Sequence, residues 1–179
     1  MRKTIRKWFW TWDYEKEEKW LNEMATKGLA LVGVGFAKYE FEESLPGEYA
    51  VHFELLQHSK SHPESENYIR FIEETGAEQV GNYLRWVYFR KKAADGPFAL
   101  FSDNASRIAH LKRIIGLMLP IGILNLVIGL QNVGLFFWHH FDGNLIGIIN
   151  LALGVLCCLG ALPIRKKIKA LKKEQQIFE

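Results

Sequence analysis

Strand-like and helix-like patterns of apolar and polar positions alternate along the first 92 residues, whereas the last third is dominated by long apolar runs. The aromatic stretch IRKWFW (5–10) predicts a strand. Asp13 can cap a helix through about Lys27, with Trp20, Leu21 and Met24 on one side and Gly28 as its stop. LALVGVGFAKYEF (29–41) has the pattern of one long strand. LPGE (45–48) is turn chemistry, and YAVHFELL (49–56) reads as the returning hairpin partner. SHPESENYIRFIEETG (61–76) predicts a second helix, with Pro63 near its start, Ile69 and Ile72 facing inward and Gly76 ending it. YLRWVYFRKK (83–92) closes the series as a strand. The order β-α-β-β-α-β is that of an α+β, ferredoxin-like sandwich, assigned to residues 1–95.

Such a sandwich covers one sheet face with helices and leaves the other open. Trp86 and Tyr88 alternate with Tyr83, Val87 and Phe89, so an open face there would expose bulky aromatics that need a cover. Trp8 and Trp10, with Trp12, would share one face of the first strand. Core packing and contact with a membrane surface compete for them, since Arg2, Lys3, Arg6 and Lys7 adjoin. The expected partner or ligand face is therefore Trp8, Trp10, Trp86 and Tyr88, with the tail DGPFALFSD (95–103) as a competing cover.

From Ile114 to Ile164 the only formal charge is Asp142. Runs at 114–138 and 145–164 each reach the ~20 apolar residues that a membrane span needs, with a loop at 139–144 between them. Residues 96–113 then form a linker and juxtamembrane helix, and 165–179 a basic tail. Lys and Arg flank the two outer ends of this hairpin and are missing from the loop, which puts both termini in the cytoplasm by the positive-inside bias. The expected location is the cytoplasmic (inner) membrane. The N-terminus has positive charge without a following apolar run, so it does not read as a signal peptide.

The two apolar runs repeat a phrase. IGILNLVIGL (121–130) and IGIINLALGV (146–155) agree at six of ten positions. Gly122, Asn125 and Gly129 fall on one helix face, as do Gly147, Asn150 and Gly154. Small residues let helix backbones approach in lipid, where an amide can also bond across. The phrase is read as a helix-packing surface. In a homo-oligomer the same amides could instead line a polar path. Neither span contains an ionisable acid, base or histidine, which argues against a proton relay.

Charge narrows the rest. Residues 1–113 hold 17 Lys/Arg and 17 Asp/Glu, so the net +3 belongs to the C-terminal third. No basic stripe with interleaved aromatics appears, and nucleic acid is not an expected partner. Arg165, Lys166, Lys167 and Lys169 suit anionic lipid headgroups. His139, His140 and Asp142 offer few metal ligands and read as interfacial groups beside Phe136, Phe137 and Trp138. His58 and His62 fall in a loop, and Cys157 and Cys158 read as small apolar packing groups. The carboxylates of DYEKEEK (13–19) suit surface pairing such as Glu15 with Lys19. Gly33 and Gly35 lack the following helix of a nucleotide fingerprint. No catalytic, cofactor-binding or metal residue is assigned, and no cofactor is expected.

The segments KWFWTWDYEKEEKWLNEMATKGLAL (7–31) and YIRFIEETGAEQVGNYLRWVYFRKKAADGPFALFSD (68–103) resemble the bacterial family known as domain of unknown function 2812. The resemblance covers about the first 110 residues. It implies an N-terminal domain that continues into membrane spans, and a regulatory setting beside PadR-type transcriptional regulators. It carries over no catalytic residue. The expected function is a membrane-anchored, non-enzymatic regulator or adaptor whose cytosolic domain binds a partner protein or an apolar ligand. A small homo-oligomeric channel or transporter subunit is the alternative.

Overall fold

A computed structural model describes residues 2–139 and 144–178; for 136–139, 144, 177 and 178 it describes the backbone alone. The chain divides into two compact units, residues 1–106 and 107–179. The first unit runs β1 (Arg2–Arg6), α1 (Tyr14–Thr26), β2 (Leu29–Gly35), β3 (Lys38–Glu43), β4 (Tyr49–Leu55), α2 (Pro63–Glu74), β5 (Glu78–Tyr83) and β6 (Trp86–Lys92), with short 3-10 turns at Thr11–Asp13 and Ala93–Asp95. Its strands form two antiparallel three-stranded sheets, ordered β1-β3-β2 and β4-β6-β5.

This is a β-α-β-β unit used twice, which corrects the expected β-α-β-β-α-β sandwich. Residues 29–41 do not form one strand: the chain turns at Phe36 and Ala37, with Ala37 at φ 49. Two of these short strands therefore share one apolar run. Residues 49–55 pair with β6, not with 29–41. Residues 78–83, a strand the pattern did not reveal, complete the second sheet. The second hairpin repeats the first at a spacing of 48 residues. Leu31 opposite Phe41 recurs as Gln79 opposite Phe89, and Gly33 opposite Glu40 as Gly81 opposite Tyr88. Both ladders carry a bulge at the same place, at Val32 and Val80. Both helices end before a glycine at positive φ, Gly28 (φ 76) and Gly76 (φ 89), a conformation that costs an L side chain and not glycine.

One core joins the two halves through α1. Leu21 and Met24 of α1 pack with Leu31, Tyr39 and Phe41 of the first sheet and with Val51, Phe53 and Tyr88 of the second. The Asn22 amide bonds both the N–H and the C=O of Val51, at 2.9 and 2.8 Å, and so occupies the free edge of β4. The opposite face of the second sheet, with Val87 and Phe89, packs on Ile69 and Ile72 of α2 and is joined by Phe98 and Leu100 of the tail. Both faces of the second sheet are therefore covered. Tyr88 is buried and Trp86 packs against the core. The open aromatic face expected at Trp86 and Tyr88 does not exist, because α1 and the first sheet fill it.

The second unit is two long helices, α3 (Asn104–His139) and α4 (Asn144–Phe178), continuous through Pro120 and Pro163. Asp103 caps α3 by accepting the Ser106 N–H at 2.7 Å. Both helices are long and apolar enough to cross a membrane. Only 22% and 28% of their most apolar 18-residue windows are buried, unlike the core helix of a soluble protein. The helices cross with glycine at the contact: a Cβ on Gly154 would lie 2.9 Å from the Gly122 oxygen, and one on Gly129 2.9 Å from the Gly147 oxygen. His140 and Asp142 of the expected loop lie outside the described residues, as do the side chains of Phe136, Phe137, Trp138 and His139.

Candidate functional site

Three side-chain groups in the first unit depart from ordinary packing. The innermost is Glu17 on α1. Its 48-residue counterpart is Ser65, also buried. The Glu17 Oε1 atom accepts hydrogen bonds from Tyr39 of the first sheet (2.8 Å) and Tyr88 of the second (2.6 Å). Burial raises the Glu17 pKa, a rise opposed by the two tyrosine bonds and reinforced by Glu18. Burial and the facing carboxylate raise both tyrosine pKa values. Aromatic rings surround the cluster: Phe53 stacks on Tyr88 at 4.5 Å, and Trp20 meets Tyr39 edge-on at 5.0 Å. A carboxylate whose oxygen already holds two core hydroxyls is a tie between the sheets, not an acid awaiting a substrate.

The second group lies on the seam where β2 meets β5. Arg90 of β6 bonds Glu78 at 2.9 Å, Glu42 at 2.8 Å and the Leu31 carbonyl at 3.2 Å, with its guanidinium over the Tyr49 ring. It thereby joins both sheets. A cleft of about 220 Å³ beside it is lined by Tyr49, Gly76, Glu78, Lys91, Lys92 and Asp95. Its walls are polar and charged, so an apolar ligand gains little there.

The third group is at the surface. The chain leaves β1 at Lys7, whose N–H bonds the Ala37 carbonyl in the β2–β3 turn at 3.1 Å. That bond seats the 7–13 connector on the hairpin tip. Trp8 is 52% exposed and Phe36 64% exposed, and their rings meet edge-on at 5.3 Å. Trp8 also meets Trp10, which stacks on Trp12 at 4.9 Å. Phe36 reaches Tyr83 beside the second hairpin tip, where Leu84 is 73% exposed. Trp8, Trp10 and Trp12 do not alternate on a strand as the pattern implied, since β1 ends at Arg6. They form the rim of an aromatic end made by one connector and two hairpin tips. The sequence shows the tryptophans but not Phe36 or Leu84, because the turn that brings Phe36 out sits inside a run with strand periodicity.

Among the described residues, one group brings metal-capable atoms together: His58, His62 and Glu64, at the equivalent connector of the second half. The His58 Nε2 lies 3.2 Å from a Glu64 oxygen, and the two imidazoles stack at 4.2 Å. The Glu64 N–H donates to His62 Nδ1 at 3.3 Å, which places that histidine as the cap of α2. These bonds account for all three side chains.

In the second unit, Gly122, Gly129, Gly147 and Gly154 all lie where α3 and α4 touch. Asn125 donates its amide to the Ile121 carbonyl of its own helix at 2.8 Å, and Asn132 does the same to Ile128 at 2.9 Å. Arg165, Lys166, Lys167 and Lys169 continue α4 without a break.

The duplicated domain and the start of α3 define the kind of protein this is. A family model described as Protein of unknown function (DUF2812) matches residues 13–123. The chain belongs to that family. No curated protein and no solved structure matches it. The match begins at the cap of α1 and so leaves out Trp8, Trp10 and Trp12.

Proposed function

We propose that this chain is a membrane-anchored, non-enzymatic adaptor or regulator that acts through the aromatic end of its duplicated domain. In this reading α3 and α4 form a hairpin in the cytoplasmic membrane with both termini cytoplasmic, as the Lys/Arg bias of the flanks favours. The observation that carries it is the exposure of Trp8, Trp10, Phe36 and Leu84 together at one end of a domain whose second sheet is covered on both faces. A contiguous exposed aromatic patch is unfavourable in water unless something covers it. Binding, not catalysis, fits the interior as well, since Glu17 is held by two hydroxyls.

The test has two stages. Alkaline washing of membranes should leave the chain in the pellet, and recovery in the wash would remove the anchor. Proximity cross-linking in native membranes should then depend on the aromatic end. Trp8→Ala/Trp10→Ala should lose what the parent chain contacts, while an unchanged cross-linking profile would refute the assignment of the surface. The pore alternative, with the Asn125 and Asn150 faces inside, is less favoured because the glycines on those faces, Gly122 and Gly154, already meet one another.

A further inference from the structure

The aromatic end raises a narrower question: what covers it. We infer that the Trp8–Trp10–Phe36 end beds into the headgroup region of an anionic bilayer, the membrane that α3 and α4 are proposed to span. This rests on the preceding reading that the end is a binding surface, and it names the occupant.

Three features select lipid over a protein or a small ligand. The first is ring chemistry: tryptophan and tyrosine favour the interface between headgroups and acyl chains, where an apolar body and a polar N–H or O–H are both satisfied. Trp8, Trp10 and Tyr83 have that character, and Phe36 and Leu84 stand as the apolar tips beside them. The second is charge. Arg6 is exposed opposite Lys38 in the β1–β3 ladder, Lys7 is exposed beside it, and Arg85 directs its hydrogen bonds to the neutral carbonyls of Leu56 and Gln57. Lys38 is offset by Glu40, 2.6 Å away, but the arginines keep their charge for anionic headgroups. The third is the tether. Phe98 and Leu100 are fixed on the domain, and α3 starts at Asn104, so only residues 101–103 link the two. Three residues reach about 10 Å. A domain tethered by so few residues to a helix whose apolar run begins at Ile114 meets the bilayer at high effective concentration, and a weak interfacial contact is enough. A small apolar ligand would need a concavity, whereas hairpin tips are convex and the cleft beside Arg90 is polar.

The decisive experiment uses the full chain with Trp12→Phe and Trp138→Phe, to remove the tryptophan stacked on Trp10 and that of the first apolar run, in nanodiscs of mixed phosphatidylcholine and phosphatidylglycerol with brominated acyl chains. Bromine quenches tryptophan at the interface and leaves the core residues Trp20 and Trp86 bright. The expected result is strong quenching that falls to near background in Trp8→Phe/Trp10→Phe and weakens when phosphatidylglycerol is omitted. Phenylalanine preserves the ring contacts, and unchanged emission from Trp20 and Trp86 reports an intact fold. Absent quenching, or quenching that the double variant leaves unchanged, overturns the proposal. If quenching is absent and two copies share each disc through an association that the double variant abolishes, the occupant is a second copy: lipid is refuted while the binding surface stands. If the double variant changes neither quenching, copy number nor cross-linking, the binding surface falls too.

Discussion

The two halves of the domain share one ladder and differ most plainly in their connectors and at one buried helix position. Where the first half places Glu17, the second places Ser65; where the first exposes Trp8 to Trp12, the second has His58 to His62, joined to Glu64 and capping α2. The shared positions are those that any β-α-β-β unit needs: a glycine after the helix, a bulge, and apolar residues facing a helix. The divergent positions show how the copies are joined and what one of them presents. Glu17 exists only once because one carboxylate can reach Tyr39 in one sheet and Tyr88 in the other. The aromatic connector likewise exists only once, in the first half.

Removing Glu17 should break that comparison most severely. Glu17→Ala strands two core hydroxyls and opens a cavity, which should cost roughly 3 kcal/mol of domain stability, read by urea unfolding of the full chain in nanodiscs with tryptophan emission. Ser65→Ala should cost under about 1 kcal/mol. Equal losses would mean that the halves are not joined through Glu17.

The acid also sets a pH dependence with an inverted sign. Its pKa is raised on folding from the ordinary 4.5, so the folded state holds the proton more tightly than the unfolded chain. The stability it contributes is complete below about pH 4.5 and is lost as pH rises through the folded value. Relative to Glu17→Gln, which cannot titrate, the parent chain should gain stability on acidification from neutral pH toward 4.5. The comparison with the glutamine variant cancels the groups that titrate normally. A parent-minus-variant difference that rises with pH would contradict the burial of Glu17.

The paired bulge glycines should separate next. A Cβ on Gly81 would meet the backbone nitrogen of Val34 at 3.0 Å across the β2–β5 seam, whereas one on Gly33 would meet the flexible Glu40 side chain at 3.2 Å. Gly81→Ala should lose about 1–2 kcal/mol and Gly33→Ala no more than ~0.5 kcal/mol. Asn22→Ala, which uncovers the β4 edge, should lose about 1 kcal/mol and raise self-association of the domain at equal protein concentration. Unchanged association would mean that the amide is not what guards that edge.

Much of this architecture is legible in the sequence, and the gaps have physical causes. Both domain helices and the glycines that end them are visible because capping and 3.6-residue periodicity act locally. The apolar runs behind α3 and α4, and the glycines at their crossing, are visible for the same reason. The hairpin within 29–41 is hidden because its turn uses Phe36 and Ala37 in place of the usual Gly, Asn or Asp. A single strand there leaves the domain one β-strand short and conceals the duplication. β5 is hidden because Glu78, Gln79, Gly81 and Asn82 are poor strand formers, held by pairing with β6. Glu17 is indistinguishable from its solvated neighbours in DYEKEEK, since only the meeting of two sheets buries it. Trp8 and Trp10 are visible as aromatic, but their exposure depends on where β1 stops.

The account turns on the unequal fates of the two connectors, and hydrogen exchange of the full chain in nanodiscs reads both at once. Exchange at 7–13 and at the tips 36–37 and 84–85 should slow when phosphatidylglycerol is added to phosphatidylcholine discs, while 56–62 stays unchanged. Equal behaviour of 7–13 and 56–62 would contradict the claim that the binding end is built on the first connector and not on the second.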